Sequence, residues 1–472
     1  MSVDMDRLKQ SPELIITHNI TEQHEISYRD VEEIQLAAAR KRFDELVHRI
    51  PMIARLAEEQ GIREIRSIED LAPLLMMHSA YKSYPLSVLE GAKFDRLTRW
   101  LDGLTVHDLS KLDVSECETI DEWIGVLNRE TPIRVLHSTG TSGKLSFIPR
   151  SADEVAHSFH GHLRMIESFG DEPPALGVPP QETVVIAPQY RHGAMALHRY
   201  LDAIEDALFD DQDHIITINP GYFSADLASL GGRLKAAEAR GELGSIQLSS
   251  KLAEKREAFL KDQRESPDRM EAFLDRLCAL EGRCVWFVGG TAPALIGLAN
   301  AAQKRGMNNM FREDSYASGG GGGKGIVLPD GWTDMVRDVL GVSRLQPGYG
   351  MTELTCMTRI CPEGHFHVPP WQIPFLLDPV TGIPYPRTGT HIGRYGVFDL
   401  NARTYWGGFL TGDELTLSWG DTEPCGCGRI GPYIHRAIRR YSEKEGGDDK
   451  ITCAGAPDAH DKAIEYLLQD MN

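Results

Sequence analysis

Apolar residues recur at helical spacing through the first quarter of the chain, and short apolar runs replace them afterwards. Between Glu32 and about Val126, segments such as AAARKRFDELVHRIPMIARLAEEQGI place apolar residues three and four positions apart, which predicts amphipathic helices. After Pro132, strand-like runs stand on both sides of a loop rich in Gly, Ser and Thr, and a helix is expected from about Asp153. The chain therefore begins with a helical packing region.

Short β-like runs alternate with long helical segments between Glu182 and Leu340. The β-like runs are TVVIAP, HIITINP and RCVWFVGG, and the last helical segment before RCVWFVGG is the long KLAEKREAFLKDQRESPDRMEAFLDRLCALEG. This alternation predicts parallel strands joined by crossover helices. From Arg344 onward strand and turn signals dominate, which predicts a smaller, mostly antiparallel sheet.

These patterns predict an α/β protein of four segments. We expect a helical region over residues 1–130, an α/β core over 131–343, a β-rich subdomain over 344–445 and a short C-terminal segment over 446–472.

The net charge and the distribution of apolar residues disfavour several classes of function. The chain has 472 residues and a formal charge of -19, which disfavours binding to nucleic acid or to anionic membranes. No apolar run approaches the ~20 residues of a membrane span, and the polar N-terminus does not resemble an export signal. We therefore expect a cytoplasmic protein with reduced thiols, and a homo-oligomer remains open.

A loop with the chemistry of a phosphate site follows the first strand-like run. Glycine lets backbone N–H groups approach oxyanions, hydroxyls donate further hydrogen bonds, and a lysine neutralises charge. The spacing differs from the Walker loop, because only two residues separate the two glycines and Leu145 follows the lysine. A flexible surface turn is the alternative. The candidate residues are Ser138, Thr139, Gly140, Thr141, Ser142, Gly143 and Lys144.

A second motif gives the loop a context. Residues 345–353 read Leu-Gln-Pro-Gly-Tyr-Gly-Met-Thr-Glu, and here the sequence resembles the adenylate-forming superfamily of acyl-CoA ligases, adenylation domains and luciferases. The order of the pieces agrees with that resemblance. After the phosphate loop come a Gly-Gly turn, the Tyr-Gly-Met-Thr-Glu segment, Thr-Gly-Asp, an arginine and a hinge, here at Gly289 and Gly290, residues 349–353, residues 411–413, Arg429 and residues 447–451.

The resemblance implies a role for each of these pieces. The Tyr349 ring would lie on an adenine, Thr352 would contact the α-phosphate, and Glu353 would hold Mg²⁺. Gly350 and Met351 would belong to the same nucleotide-binding segment. Asp413 would accept hydrogen bonds from the ribose. Arg429 would add positive charge near the sugar or phosphates, with Arg436 or Arg439 as alternatives. ATP and Mg²⁺ are the expected cofactors.

Three features resemble the phenylacetate-CoA ligase and LuxE-type acyl-protein synthetase branch of that superfamily. They are the helical N-terminus, the CGCGR turn and the Ser-Thr-Gly-Thr-Ser-Gly-Lys loop. The resemblance implies that the β-rich subdomain over 344–445 binds the nucleotide. Only 17 residues follow Gly455, so residues 446–472 are expected to be a hinge with a vestigial C-terminal domain in place of the mobile domain that the resemblance implies. Cys453 then becomes a candidate acyl-accepting thiol, with a small buried residue as the alternative.

Cysteine and histidine residues also suggest a metal site. Cys361, His367, Cys425 and Cys427 offer the ligand types of a closed tetrahedral zinc site, although their spacing is not that of a zinc finger. Unliganded thiols beside a surface histidine pair are the alternative. If zinc binds, we expect it to be structural.

The resemblance also places an acid-binding pocket. The stretch after TVVIAP corresponds to the region beside the acid in related ligases, so Tyr190, Arg191 and His192 are candidate pocket residues.

The predicted reaction is activation of a carboxylic acid by ATP to an acyl-adenylate, followed by transfer to a thiol. The acceptor is open among CoA, a carrier or reductase protein and a protein cysteine. The alternatives are an amide-forming ligase and a non-catalytic nucleotide-binding or scaffold subunit.

Overall fold

The structure is a computed structural model that describes residues 4–138, 144–209, 214–241, 248–320 and 328–441. The predicted loop residues Thr139, Gly140, Thr141, Ser142 and Gly143, the predicted hinge and Cys453 lie outside the described residues. The chain divides into two compact units. Unit 1 comprises Met1–Ser138, Lys144–Gly161 and Met351–Asn472, and unit 2 comprises Thr139–Gly143 and His162–Gly350.

The helices occupy both units. Their bounds are α1 (Met5–Gln10), α2 (Ile20–Glu25), α3 (Tyr28–Leu46), α4 (Pro51–Gln60), α5 (Leu86–Glu90), α6 (Phe94–Asp102), α7 (Ile120–Glu130), α8 (Ala152–Leu163), α9 (Ala196–Leu208), α10 (Ala225–Arg240), α11 (Ser250–Arg264), α12 (Ser266–Cys278), α13 (Ala292–Lys304) and α14 (Trp332–Leu340).

The strands follow the same chain order. Their bounds are β1 (Met76–Met77), β2 (Ile133–His137), β3 (Phe147–Ser151), β4 (Val184–Gly193), β5 (Ile215–Phe223), β6 (Val285–Thr291), β7 (Tyr316–Gly320), β8 (Leu345–Gln346), β9 (Gly348–Tyr349), β10 (Thr358–Arg359), β11 (Phe366–His367), β12 (Gln372–Leu377), β13 (Thr390–Asp399), β14 (Gly408–Ser418), β15 (Tyr433–Ile434) and β16 (Arg439–Arg440).

Unit 2 contains the predicted parallel sheet. Within its described residues the sheet has five strands in the order β5-β4-β6-β7-β8, and every pairing is parallel. Buried residues of α12, α13 and α14 form one apolar core with β4, β5 and β6. The parallel strands with crossover helices that the alternating pattern predicted are confirmed, since such strands require long connections.

The long helical segment before β6 is two helices in the structure. Helix α11 ends at Arg264 and α12 begins at Ser266, with Pro267 in its first turn. Proline has no N–H to donate within a helix, so it is tolerated at a helix start and ends the preceding one. The break is therefore encoded by Pro267, which periodicity alone did not reveal.

Unit 1 contains the predicted antiparallel sheet. In the described part of the unit, strands β11, β15, β14, β13 and β12 lie side by side in that order with antiparallel pairing. Strand β16 pairs antiparallel with β14, and β1 pairs parallel with it. The predicted, mostly antiparallel sheet is thus confirmed, with an added strand from the helical region.

The helical region is more than a packing layer, because it contributes a strand to this sheet. Met76 and Met77 of β1 pair with Phe409 and Leu410 of β14. Nearby, the indole Nε1 of Trp406 donates to Leu74 O over 2.8 Å, and Tyr81 Oη donates to Trp406 O over 2.6 Å. These contacts tie the helical region to the sheet through buried hydrogen bonds.

In the part of the chain that the structure describes, no helix is both long and apolar enough to cross a bilayer.

Trp406 gives a test of this packing. Its ring is fully buried and lies 4.8 Å from that of Phe398. We expect Trp406→Ala to reduce the free energy of unfolding by about 3–5 kcal/mol, because it leaves a cavity and an unpaired Leu74 carbonyl. Guanidinium unfolding followed by far-UV circular dichroism measures this loss. Val380→Ala, at a side chain that is 87% exposed, is the control, and equal midpoints for the two variants would contradict the expectation.

Candidate functional site

The predicted phosphate loop is closed at its base by two serines. Strands β2 and β3 pair antiparallel from Ile133 with Ser151 to His137 with Phe147. Beyond the last pair, Ser138 N donates to Ser146 O over 3.2 Å, and Ser146 N donates to Ser138 Oγ over 3.1 Å. The Ser138 hydroxyl therefore accepts a hydrogen bond at the loop base.

Lys144 is half-buried beside an aromatic ring. Its Nζ lies 5.4 Å from the centre of the Tyr84 ring, and Tyr84 Oη donates to Leu145 O over 2.8 Å. Burial lowers the pKa of Lys144, and the positive charge of Lys82 lowers it further. A lysine that is partly desolvated next to a second cation favours an anionic ligand.

The backbone of residues 352–354 is held by one side chain from β3 and one from the turn before β14. Arg150 Nη2 donates to Thr352 O over 2.8 Å and also to Leu354 O. Tyr405 Oη donates to Glu353 O over 2.9 Å. Three consecutive carbonyls are thus hydrogen-bonded, which fixes the direction of the Thr352 and Glu353 side chains.

Glu353 is a buried carboxylic acid in a field of cations. Glu353 as a whole residue is 7% exposed. Burial raises the pKa of Glu353 above its ordinary value, whereas Lys82, Arg150 and Arg440 act in the opposite direction. The ionised form is therefore costly in the folded chain, and a bound cation would offset that cost.

Asp413 lies on β14 and faces a cation of β16. Asp413 pairs with Arg440 in the strand register, Asp413 Oδ1 lies 3.6 Å from Arg440 Nε, and Asp413 N donates to Thr411 Oγ1 over 3.1 Å. The carboxylate is a buried acceptor next to a side chain that is 67% exposed. This arrangement suits binding of sugar hydroxyls.

Arg429 lies near two histidines. Burial lowers the pKa of His24, and the charges of His367 and Arg429 lower it further. Arg429 also lowers the pKa of His367, although burial is the larger cause there. Arg429, the arginine predicted for the nucleotide site, thus lies beside the turn that carries Cys425 and Cys427, which we call the cysteine turn. The arginine next to Asp413 is Arg440 instead. Pairing between β14 and β16 explains the second placement.

Unit 2 has a polar cluster next to the C-terminal part of β4 and the middle of β5. Tyr190 Oη donates to Asp262 Oδ2 over 2.8 Å, and Asn219 Nδ2 donates to the same oxygen over 3.1 Å. Arg269 Nη2 lies 3.0 Å from Asp262 Oδ2. Gly290 pairs with Gly319 at the same end of the sheet, next to Gly289. The carboxyl edge of parallel strands is where open α/β sheets bind ligands.

The other two predicted pocket residues differ in accessibility. Arg191 is buried and donates to Asp202 Oδ1 over 2.8 Å and to Glu205. Its charge is already neutralised, so a substrate carboxylate would compete with two fixed ones. His192 has a side chain that is 46% exposed, with Nδ1 3.9 Å from Asp202 Oδ1.

The Tyr-Gly-Met-Thr-Glu motif crosses the boundary of the two units. Gly348 and Tyr349 form β9 of unit 2, and Tyr349 is buried. Gly350 ends unit 2 and Met351 begins the last part of unit 1. The residues assigned to the phosphate and the cation, Thr352 and Glu353, therefore belong to unit 1.

The four predicted metal ligands form one cluster in unit 1. One ligand atom from each of Cys361, His367, Cys425 and Cys427 lies within 4.8 Å of all the others. Hydrogen bonding with Cys427 lowers the pKa of the Cys361 thiol, which favours a thiolate there. His367 and Cys425 are 58 positions apart in the sequence, and the pairing of β11 with β15 brings the two halves of the cluster together.

Several residues of the site escaped sequence reasoning. Lys82, Arg150, Tyr405 and Arg440 are single polar residues without a motif, and Asp262 lies inside a charged helix. Arg150 carried a weak signal, since it is an arginine inside a strand-like run six residues after Lys144. The others become visible only through their tertiary contacts.

Comparisons with known proteins give weak likenesses. No family model and no curated protein matches the chain. Among solved structures, ATP-bound MatB from Rhodopseudomonas palustris is 14% identical and covers 66% of this chain and 50% of that chain, with a TM-score of 0.33. The ATP-bound RpMatB-BxBclM chimera B1 is 14% identical over 66% of this chain and 49% of that chain, with a TM-score of 0.36.

A luciferase-like enzyme from the nonluminescent Zophobas morio mealworm is 12% identical and covers 65% of this chain and 56% of that chain, with a TM-score of 0.32. The chain thus aligns to about half the length of these proteins. Likeness at this level does not identify a function, which has to be inferred from the residues of the site.

The buried carboxyl of Glu353 generates a pH prediction. Its pKa is raised in the folded chain, so the folded state keeps the proton to higher pH than the unfolded state. Stability therefore falls as the pH rises through the unfolded-state pKa, and the loss is complete above the folded pKa. We expect Glu353→Gln to be more stable than the wild type at pH 7, and the difference to vanish below about pH 4. Urea unfolding at the two pH values measures it.

Glu116→Gln, at an exposed position, is the matched control for the charge change and should show no such pH-dependent gain. A Glu353→Gln variant that is less stable than the wild type at pH 7 would show that the carboxylate is stabilised in the fold.

Proposed function

We propose that the chain activates a carboxylic acid with ATP, forming an acyl-adenylate and pyrophosphate, and then transfers the acyl group to a thiol. The proposal combines the ordered motifs of the sequence with the charge arrangement of unit 1. The adenylate-forming enzymes that the motifs resemble carry out the same first step.

One observation carries the proposal, namely that shared cations link Lys144, Glu353 and Asp413, which are three of the charged residues in the motifs. Lys82 acts electrostatically on both Lys144 and Glu353. Arg440 acts on Glu353 and lies 3.6 Å from Asp413. Residues separated by 269 positions in the sequence, from Lys144 to Asp413, thus belong to one charged group in unit 1.

This group suits a nucleoside triphosphate. Lys144 and Lys82 provide positive charge for phosphate oxygens, and Asp413 provides an acceptor for ribose hydroxyls. The fixed carbonyls of residues 352–354 keep the Thr352 hydroxyl and the Glu353 carboxylate in place before the ligand arrives. Preorganised charge lowers a barrier without reorganisation during the reaction.

The first proposed step is an in-line displacement. A carboxylate oxygen of the acid attacks the α-phosphorus of ATP, a new P–O bond forms, and the bond from that phosphorus to the bridging oxygen of the β-phosphate breaks. Pyrophosphate leaves with the electron pair of that bond. Lys144, Lys82 and the Thr352 hydroxyl stabilise the charge that develops on the phosphate oxygens.

Mg²⁺ fits the same site, because Glu353 is a buried carboxylate whose ionisation is unfavourable and would be favoured by a bound cation. When bound, Mg²⁺ supplies positive charge to the phosphate oxygens of ATP. Glu353 would hold it, with the Thr352 hydroxyl close in the chain.

The second proposed step moves the acyl group. A thiolate attacks the carbonyl carbon of the acyl-adenylate, and AMP leaves as the C–O bond breaks. CoA, a carrier or reductase protein, or a protein cysteine such as Cys453 can supply the thiolate. An amine in its place would give an amide.

We assign the acid to Tyr190 and His192 of unit 2. Tyr190 is held by Asp262 at the carboxyl end of β4, and the His192 side chain is accessible. Arg191 stays a candidate for the carboxylate, although Asp202 and Glu205 already engage it.

The proposal is tested by ATP-dependent hydroxamate formation, with hydroxylamine as acceptor and a panel of aromatic, short and long fatty acids. Pyrophosphate and AMP are measured in parallel. Acid-dependent release of both products with one class of acid supports adenylation. ATP binding without turnover over the whole panel would favour a nucleotide-binding subunit, and product formation with amines but not with thiols would favour an amide ligase.

Asp413 provides a prediction for nucleotide binding. We expect Asp413→Ala to weaken ATP binding about 10- to 100-fold, because one or two hydrogen bonds from sugar hydroxyls to a charged acceptor are lost. Isothermal titration calorimetry measures the affinity. Asp95→Ala, at an exposed position of α6, is the control, and unchanged affinity in Asp413→Ala would remove the ribose assignment.

Tyr190 provides a prediction for acid binding. We expect Tyr190→Phe to raise KM for the acid up to about tenfold and to leave KM for ATP unchanged, since the hydrogen bond to Asp262 is lost. Tyr385→Phe is a matched control, because it removes a hydrogen bond from a tyrosine to Asp378 in unit 1. A change in KM for ATP alone would contradict the assignment.

A further inference from the structure

We propose that Cys361, His367, Cys425 and Cys427 bind one structural zinc ion through three sulfur atoms and one imidazole nitrogen, and that this ion fastens helix α2 to the cysteine turn. We call these four residues the zinc cluster. The proposal does not depend on the reaction proposed above, since none of the four residues belongs to the charged group around Glu353.

Two matching turns present the ligands. Gly364 N donates to Cys361 O over 2.9 Å, and Gly428 N donates to Cys425 O over 3.0 Å. Both glycines have left-handed backbones, with φ of 80° and 81°. Each turn thus runs from a cysteine to a glycine three residues later, a conformation that other residues adopt only with strain.

The two turns pack against each other. A Cβ atom added to Gly426 would lie 3.3 Å from Glu363 Cδ, so little room remains between the turn tips. Strand β11 then continues from the first turn, and His367 pairs with Tyr433 of β15. The Tyr433 side chain packs against Cys361 and Cys425 and closes one side of the zinc cluster.

Two ligand–ligand distances lie close to the edges of a tetrahedral zinc site, and all four ligand atoms lie within 4.8 Å of one another. Sulfur ligands at about 2.3 Å and nitrogen at about 2.0 Å from zinc give ligand–ligand edges of about 3.5–3.8 Å. Cys361 Sγ lies 3.8 Å from Cys425 Sγ, and Cys427 Sγ lies 3.2 Å from His367 Nε2. The cluster is mostly buried, with Cys427 the most accessible ligand. Buried sulfur and imidazole ligands without carboxylates favour zinc over magnesium or calcium.

Charge around the cluster also fits. Three thiolates and one zinc ion leave a net charge of -1, and Arg429 is buried next to the turn that carries two of the ligands. His365 Nδ1 lies 3.3 Å from Cys425 Sγ and can donate to that sulfur in the appropriate tautomer. On binding, the thiol protons leave to solvent, and no oxidant is needed.

Helix α2 of the N-terminal region contacts the zinc cluster and the cysteine turn through His24. Ile430 N donates to His24 O over 3.0 Å, and His24 Nδ1 lies 3.4 Å from Ile430 O. The His24 ring meets that of His367 edge to face at 5.6 Å. His24 lies in the last turn of α2, so a metal that fixes the cysteine turn also fixes the end of this helix.

Metal content is the first test. The full chain, purified from cells grown with added zinc, is expected to contain about one zinc per chain by mass spectrometry of the metals. Exchange with Co²⁺ should give the intense visible bands of tetrahedral cobalt and a sulfur-to-cobalt charge-transfer band. Absence of metal together with titratable thiols at all three cysteines of the zinc cluster, or a disulfide among Cys361, Cys425 and Cys427, would overturn the proposal.

The variants test the structural role. Cys427→Ser is expected to lose zinc, to unfold at a lower temperature, and to be cut faster by trypsin within the first 30 residues. Cys278→Ser, at an exposed cysteine of α12, is the matched control and should retain all three properties. Retention of zinc by Cys427→Ser, or zinc loss without any change in N-terminal cleavage, would contradict the assignment. Because the cobalt spectrum uses the wild-type chain, it tests the ligand set even if Cys427→Ser fails to fold.

Discussion

Backbone hydrogen bonding along β14 is the constraint on which most of unit 1 depends. Strand β13 pairs with one edge of β14 over most of its length. Since a strand has only two edges, the remaining partners share the other, with β1 at Phe409, β16 at Asp413 and β15 at Leu417. One strand therefore determines where the helical region, Arg440 and the strand next to the zinc cluster lie.

The second constraint is that the buried charges of the site need hydrogen bonds or opposite charges to compensate for lost hydration. Glu353 and Arg150 are removed from water, which is costly unless hydrogen bonds and opposite charges compensate. Arg150 compensates by donating to the carbonyls of Thr352 and Leu354, and Asp399 accepts from both Thr355 N and Thr355 Oγ1 over 2.8 Å. The same bonds that satisfy these groups keep the Glu353 segment in one conformation, which favours binding of a charged ligand at that position.

The charged group around Glu353 and the zinc cluster have different roles: the first favours binding of a ligand, and the second stabilises short turns. Around Glu353, burial makes the ionised carboxylate unfavourable, and a bound cation would offset that cost. In the cluster, soft ligands converge at the end of β11 and in the cysteine turn, where few apolar side chains are available to hold the turns together. A metal can replace the apolar core that short turns lack, and it can connect them to α2.

The sequence by itself determined the elements and the chemistry of the residues. Periodicity predicted the helical start, the parallel strands and the antiparallel region, because side-chain spacing follows from local backbone geometry. Motif order predicted Lys144, Glu353 and Asp413, and ligand types predicted Cys361, His367, Cys425 and Cys427. The helix break at Pro267 and the strand β1 were missed, since a short strand needs its partner to be recognised.

Only the tertiary structure decided which charges share a neighbourhood. It placed Arg440 beside Asp413, Arg429 near His24 and His367, and Asp262 under Tyr190. The physical reason is that electrostatic and hydrogen-bond energies depend on distance and burial, which arise from strand pairing between segments far apart in the chain.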